Sequence, residues 1–197
     1  MEIVQSEQWP QDWQGSAITC DFRAHRIVRF SITENDAGFA AQEAGDLVRS
    51  LDPTFRPIDV KIGPDGALYV ADWSNPIIQH GEVDFRDPRR DKSTGRIWRI
   101  SYKNHPLLPQ PGLVGMRDKE LMNELKSANA YNRKQARRIL TERGESIYGA
   151  LQEWTQEHDA EQDRLQSLWM YQSVDEVNLP LLEELLQAED GRIRSAA

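Results

Sequence analysis

The spacing of apolar positions changes character part-way along this chain. Over the first hundred residues, apolar side chains come in short runs or alternate with polar ones. Ala17 to Cys20 and Arg26 to Ile32 are β-rich and flank a polar turn, Asp21-Phe22-Arg23-Ala24-His25. Phe39 to Leu47 reads as a weaker third strand. Ile58, Val60 and Ile62 then alternate with Asp59 and Lys61, the period of two expected for a half-buried strand. Gly63-Pro64-Asp65-Gly66 supplies turn chemistry: proline fixes φ, aspartate bonds nearby backbone, and glycine tolerates positive φ. Leu68 and Val70 continue the alternation, and Gly95 to Ile100 reads as the last strand. Short strands at this spacing predict a sandwich, a barrel or a propeller.

Lys103 to Gly115 carries Pro106, Pro109 and Pro111 with Gly112 and Gly115, a breaker segment that reads as a linker over 103–116. From Arg117 onward the period is helical. Asp118 is placed to cap a helix running through Leu125. Tyr131 to Arg143 reads as a second helix closed by Gly144, followed by Ser146 to His158, Asp159 to Tyr171, Leu179 to Ala188, and a last segment reaching Ala197. A pattern recurs: Arg133-Lys134-Gln135-Ala136, Arg164-Leu165-Gln166-Ser167 and Arg194-Ser195-Ala196-Ala197, at offsets of 31 and 30 residues. Repeats of this length predict an α-solenoid of stacked helical hairpins that continues beyond Ala197. The expected organisation is β followed by α: a partial β-propeller of one to two blades over 1–102, the linker, and helical repeats over 117–197.

Composition narrows the function classes. A net charge of −8 argues against nucleic acid as a partner, because phosphate binding needs a basic face. The single Cys20 excludes a disulfide framework, a Cys-x-x-Cys redox pair, a multi-cysteine zinc site and a haem attachment motif within these residues, and it reads as a small buried hydrophobe. No apolar run approaches the ~20 residues of a membrane-spanning helix, and the opening residues lack the pattern of a signal peptide. Six tryptophans indicate packed cores; Trp73 and Trp98 are assigned to a blade, and Trp154 and Trp169 to the solenoid interior.

The charged loop from Asp72 to Asp91 carries the candidate chemistry. Asp84, Asp87 and Asp91 offer hard oxygen ligands for Ca²⁺, or else pair with Arg86, Arg89 and Arg90 to hold the loop. Arg56, Arg86, Arg89 and Arg90 offer guanidinium forks for an anionic cofactor or substrate, or else serve as loop ion pairs. His80 has the chemistry of a general base that takes a hydroxyl proton, or of a structural hydrogen-bonding residue.

The segments FRPIDVKIGPDGALYVADW, NPIIQHGEVDFRDPRRD and GRIWRI resemble the end of the propeller in large multidomain haem-binding, membrane-bound dehydrogenase-like proteins of planctomycete-type bacteria. The resemblance covers nearly the whole chain. It implies a propeller similar to glucose/sorbosone dehydrogenases, then HEAT-like repeats, then a c-type cytochrome. Haem would sit only in that last module, outside these residues. One departure lies within the motif: the resemblance implies tyrosine where this chain has Ser74. The implied protein is an extracytoplasmic redox enzyme of the periplasm or cell envelope acting on a sugar or polyol-like substrate. A quinone cofactor of the PQQ type and Ca²⁺ would assist, and any catalytic base is expected on an earlier blade. The alternative is a non-catalytic scaffold, with the propeller recognising a glycan or protein and a protein partner held on the helical repeats.

Overall fold

A computed structural model describes residues 1–35, 38–79 and 81–197. The chain divides into two compact units, Met1–Gln110 and Pro111–Ala197. The layout is β first and α second. The boundary falls inside the proline-rich segment. The Leu108 N–H donates to Asp65 O at 2.9 Å in the first unit, whereas Leu113 is buried in the apolar core of the second.

The first unit holds two antiparallel sheets. Strands β1 (Glu2–Ile3), β2 (Ala17–Asp21), β3 (Arg26–Asn35) and β4 (Gly38–Arg49) pair in chain order. Strands β5 (Pro57–Ile62), β6 (Leu68–Asp72) and β7 (Arg96–Ile100) form the second sheet, also in chain order. β5 packs against β2, and Ile18, Ile27, Val60, Leu68 and Val70 are buried in the first unit. Non-polar area removed from water at such positions contributes about 25 cal/mol per Å². The β3–β4 hairpin is longer than the sequence pattern indicated, and β4 is exposed along most of its length.

Two local features place the site. The turn between β2 and β3 is closed by Asp21 Oδ1, which accepts from the Ala24 N–H at 3.1 Å, with His25 in the left-handed region at φ 56°. The second feature corrects the expected alternation in β5. Pro57 pairs with Asp72 and Asp59 with Ala71, so Ile58 is the extra residue of a β-bulge. It is 57 % exposed, whereas Val60 and Ile62 are buried as expected.

The β5–β6 turn anchors both ends of the unit. Gly66 has φ 79°, and a Cβ there would lie 2.6 Å from Ser6 Oγ and 2.8 Å from Gln8 Cβ, so glycine is required. Its carbonyl accepts from Trp9 Nε1 at 2.9 Å and from Ser6 Oγ at 3.2 Å. The Gln8 side chain bonds Tyr102 both ways: the Tyr102 N–H donates to Gln8 Oε1 at 3.0 Å, and Gln8 Nε2 donates to Tyr102 O at 3.3 Å.

The second unit contains α1 (Asp118–Glu124), α2 (Ala130–Arg143), α3 (Tyr148–Glu157), α4 (Glu161–Ser173), α5 (Leu179–Leu185) and α6 (Gly191–Ala196). The first cap is not Asp118. Arg117 is the N-cap, its N–H donates to Glu120 Oε2 at 2.8 Å, and Asp118 instead pairs with Arg143 at 2.5 Å. Asn129, Asn178 and Asp190 cap α2, α5 and α6 through their side-chain oxygens. The three repeated arginines play one role. Arg133, Arg164 and Arg194 donate to carbonyls in or just after the preceding helix, those of Ser127, Thr155 (3.2 Å) and Ala188 (2.6 Å). Such carbonyls have no intrahelical partner near a helix end. Packing includes next-but-one helices: α1 packs on α2 and α3, α2 on α4, and α4 on α3, α5 and α6.

Candidate functional site

The segment joining β6 to β7 is organised around three buried charged residues. Asp72, at the end of β6, has a side chain with no exposure to solvent. Its Oδ1 accepts from the N–H groups of Arg56 (2.7 Å) and Ser74 (2.9 Å). Its Oδ2 accepts from Arg96 Nε (2.8 Å) and Trp98 Nε1 (2.9 Å). Burial pushes this carboxyl upward. The hydrogen bonds from Trp98, Arg56 and Ser74 and the Arg96 charge outweigh burial and hold its pKa below the ordinary carboxylate value. Ser74 has φ 54° and is buried, its conformation fixed by its bond to Asp72.

Arg56 is buried, and its guanidinium donates to backbone carbonyls: Phe22 O (2.8 Å), Asn75 O (3.0 Å), Pro76 O (3.2 Å) and Arg23 O (3.4 Å). It ties the β2–β3 turn to the start of the charged loop. Desolvation alone lowers its pKa. Arg90 is a second such tether, further along the loop. It donates to the carbonyls of Asp84 (3.0 Å), Val83 (2.8 Å), Ile77 (3.4 Å) and Gln79. Asn75 links the two arms, with Nδ2 donating to Asp91 O at 2.9 Å and Oδ1 accepting from the Ile77 N–H at 3.1 Å.

This framework supports a concavity of about 750 Å³ lined by Phe22, Arg23, Ile58, Trp73, Ile78, Gln79, Gly81 and Glu82. Phe22 comes from an otherwise polar turn, and Ile58 is turned outward by the bulge. Arg23, Gln79 and Glu82 are exposed polar groups on its lining. Apolar and aromatic walls with a few placed polar groups are the usual composition of a small-molecule site.

The residues singled out from the sequence fall elsewhere in this geometry. Arg56 and Arg90 are structural pins whose donors meet carbonyls. Arg89 forms a two-pronged pair with Asp87 at 2.9 and 2.8 Å. Arg86 is exposed, and its N–H donates to Asp84 Oδ1 at 2.7 Å. Asp84, Asp87 and Asp91 each close a local turn, accepting from the N–H two residues on at 2.7, 2.9 and 2.8 Å. Among the described residues no group of three or more His, Cys, Asp and Glu side chains is placed to hold a metal ion. His80 lies outside the described residues. Trp98 is 44 % exposed and acts through Asp72 and an edge contact with Phe55, while Trp73 lines the concavity. Cys20 is only partly buried, and desolvation raises its thiol pKa.

The acidic turns carry a pH dependence. Hydrogen bonds from Arg89 lower the Asp87 carboxyl to about 2, and those from Thr94 and Ser93 lower Asp91 to about 2. Both values lie below the unfolded carboxylate value of about 4. Their stabilising contribution is therefore complete above that value and is lost as pH falls toward 2. Protection of the Arg89, Ser93 and Thr94 amides, relative to their intrinsic exchange rates, should fall below about pH 4. Loosening of these amides between pH 6 and 8 would contradict the assignment.

Residues 1–104 match the model of a domain of unknown function, DUF7133. The chain belongs to the DUF7133 family. No curated protein and no solved structure matches it. The DUF7133 segment contains both sheets, the Gln8–Tyr102 closure and every residue that lines the concavity.

Proposed function

We propose that this chain is a binding scaffold whose DUF7133 region takes a sugar or polyol-like ligand in the concavity between Phe22, Ile58 and Trp73. One observation carries the reading. An aromatic–aliphatic wall, exposed at Phe22 and Ile58 and half-buried at Trp73 and Ile78, stands beside exposed Arg23, Gln79 and Glu82, and a buried framework fixes both segments that supply it. Sugars present an apolar C–H face and a rim of hydroxyls, which suits an aromatic platform edged by planar polar side chains. The two sheets are read as parts of successive propeller blades, supported by the packing of β5 on β2. The helices are read as HEAT-like hairpins of an α-solenoid, supported by their next-but-one packing and the recurring arginine bonds. Such an array offers a continuous surface to a protein partner.

Calorimetric titration with a panel of hexoses, pentoses and polyols tests the ligand. We expect weak, saturable binding by at least one class and a loss of about tenfold or more on Trp73→Ala, equivalent to about 1.4 kcal/mol. No binding across the panel would overturn the reading. The redox reading, with quinone and Ca²⁺ as its cofactors, rests on the sequence resemblance. It predicts sugar-dependent dye reduction when quinone and Ca²⁺ are supplied, and the absence of such turnover would remove it.

A further inference from the structure

We propose that the ligand of this concavity is an acidic sugar, a uronate or aldonate, whose carboxylate is taken by Arg23. This inference rests on the sugar-binding reading above and names the ligand class within it. Two arginines of the charged loop are engaged, Arg90 by carbonyls and Arg89 by Asp87, and Arg86 does not line the concavity. Arg23 differs. It is exposed, lines the concavity, and makes no ion pair or side-chain hydrogen bond with a described residue. A guanidinium left open in this way presents a fork of parallel N–H donors that matches a carboxylate two bonds at a time. Behind the wall lies Arg56, whose guanidinium faces carbonyls and the His25 ring and forms no ion pair with a described residue. The lining itself carries one cation, Arg23, and one carboxylate, Glu82. Glu82 is suited to accept from sugar hydroxyls, and Phe22 and Trp73 to meet the C–H face.

The test is calorimetric titration of the whole chain at pH 7 and low salt with glucuronate, galacturonate and gluconate, against glucose and galactose. The expected result is an acidic ligand bound at least about tenfold more tightly than its neutral counterpart, with the gap narrowing as salt is raised. Arg23→Gln should close most of that gap, and Arg23→Lys should keep part of it. An unchanged melting temperature would confirm that each variant is folded. Equal binding of neutral and acidic sugars would overturn this inference and leave the sugar site standing. A preference that survives Arg23→Gln would also overturn it. Binding of no sugar at all would overturn the reading on which it rests.

Discussion

Asp72→Ala is expected to destabilise the β unit by about 3–5 kcal/mol, because it strips a buried carboxylate from four donors at once. Arg96 would keep Asp52 (3.2 Å) and Thr54 (3.0 Å) as partners. The Arg56 and Ser74 N–H groups and the Trp98 indole would lose theirs. The damage should spread beyond stability. Asp72 fixes the start of the loop that carries Trp73, so ligand binding should fall with it. Asp72→Asn should recover only part of the loss. Its oxygen can serve one pair of donors, but its NH₂ would then face the other pair. Urea denaturation of the three proteins measures both effects, and a loss under 1 kcal/mol for the alanine variant would contradict the role given to Asp72.

Trp154→Ala is expected to cost the helical unit about 3–5 kcal/mol. This indole is fully buried in the core shared by the helices. Its Nε1 donates to Asn123 Oδ1 at 2.9 Å, joining α3 to α1, and its ring stacks on His158 at 4.2 Å. Removing it leaves a large cavity and an amide oxygen without its partner. Trp154→Phe keeps most of the volume and loses the hydrogen bond, so a smaller cost of about 1–2 kcal/mol is expected. Denaturation followed by far-ultraviolet dichroism at 222 nm reads the helical signal. Near-equal stability of the alanine variant and the parent would show that this core is not closed around Trp154.

The strands and helices follow from the sequence because each is a local matter of period and turn chemistry. The alternation around Gly63–Gly66 identifies β5 and β6, and the switch to a helical period after Arg117 marks the second unit. The site was less accessible to such reasoning. Whether Arg56 clamps a ligand or pins a loop depends on where the carbonyls of Phe22 and Asn75 arrive, and those lie 34 and 19 residues away along the chain. The charged loop is dense in acids and arginines, yet most of those groups hold the loop to itself. Two lining residues left a trace that could have been read. Phe22 is an aromatic inside a polar turn, and Ile58 follows proline at the start of a strand, where a bulge turns it outward. The helical arginine repeat was visible by spacing, but its role as a donor to the carbonyls at helix ends needed the backbone.

The central claim is that the concavity beside Trp73 is a ligand site. The most direct measurement is a two-dimensional NMR titration of the isotopically labelled chain with the best-binding sugar. The account predicts shifts concentrated on the Trp73 indole, the Ile58 and Ile78 methyl groups and the Arg23 and Gln79 side chains. Shifts confined to the helical unit, or scattered without a focus at these residues, would contradict it.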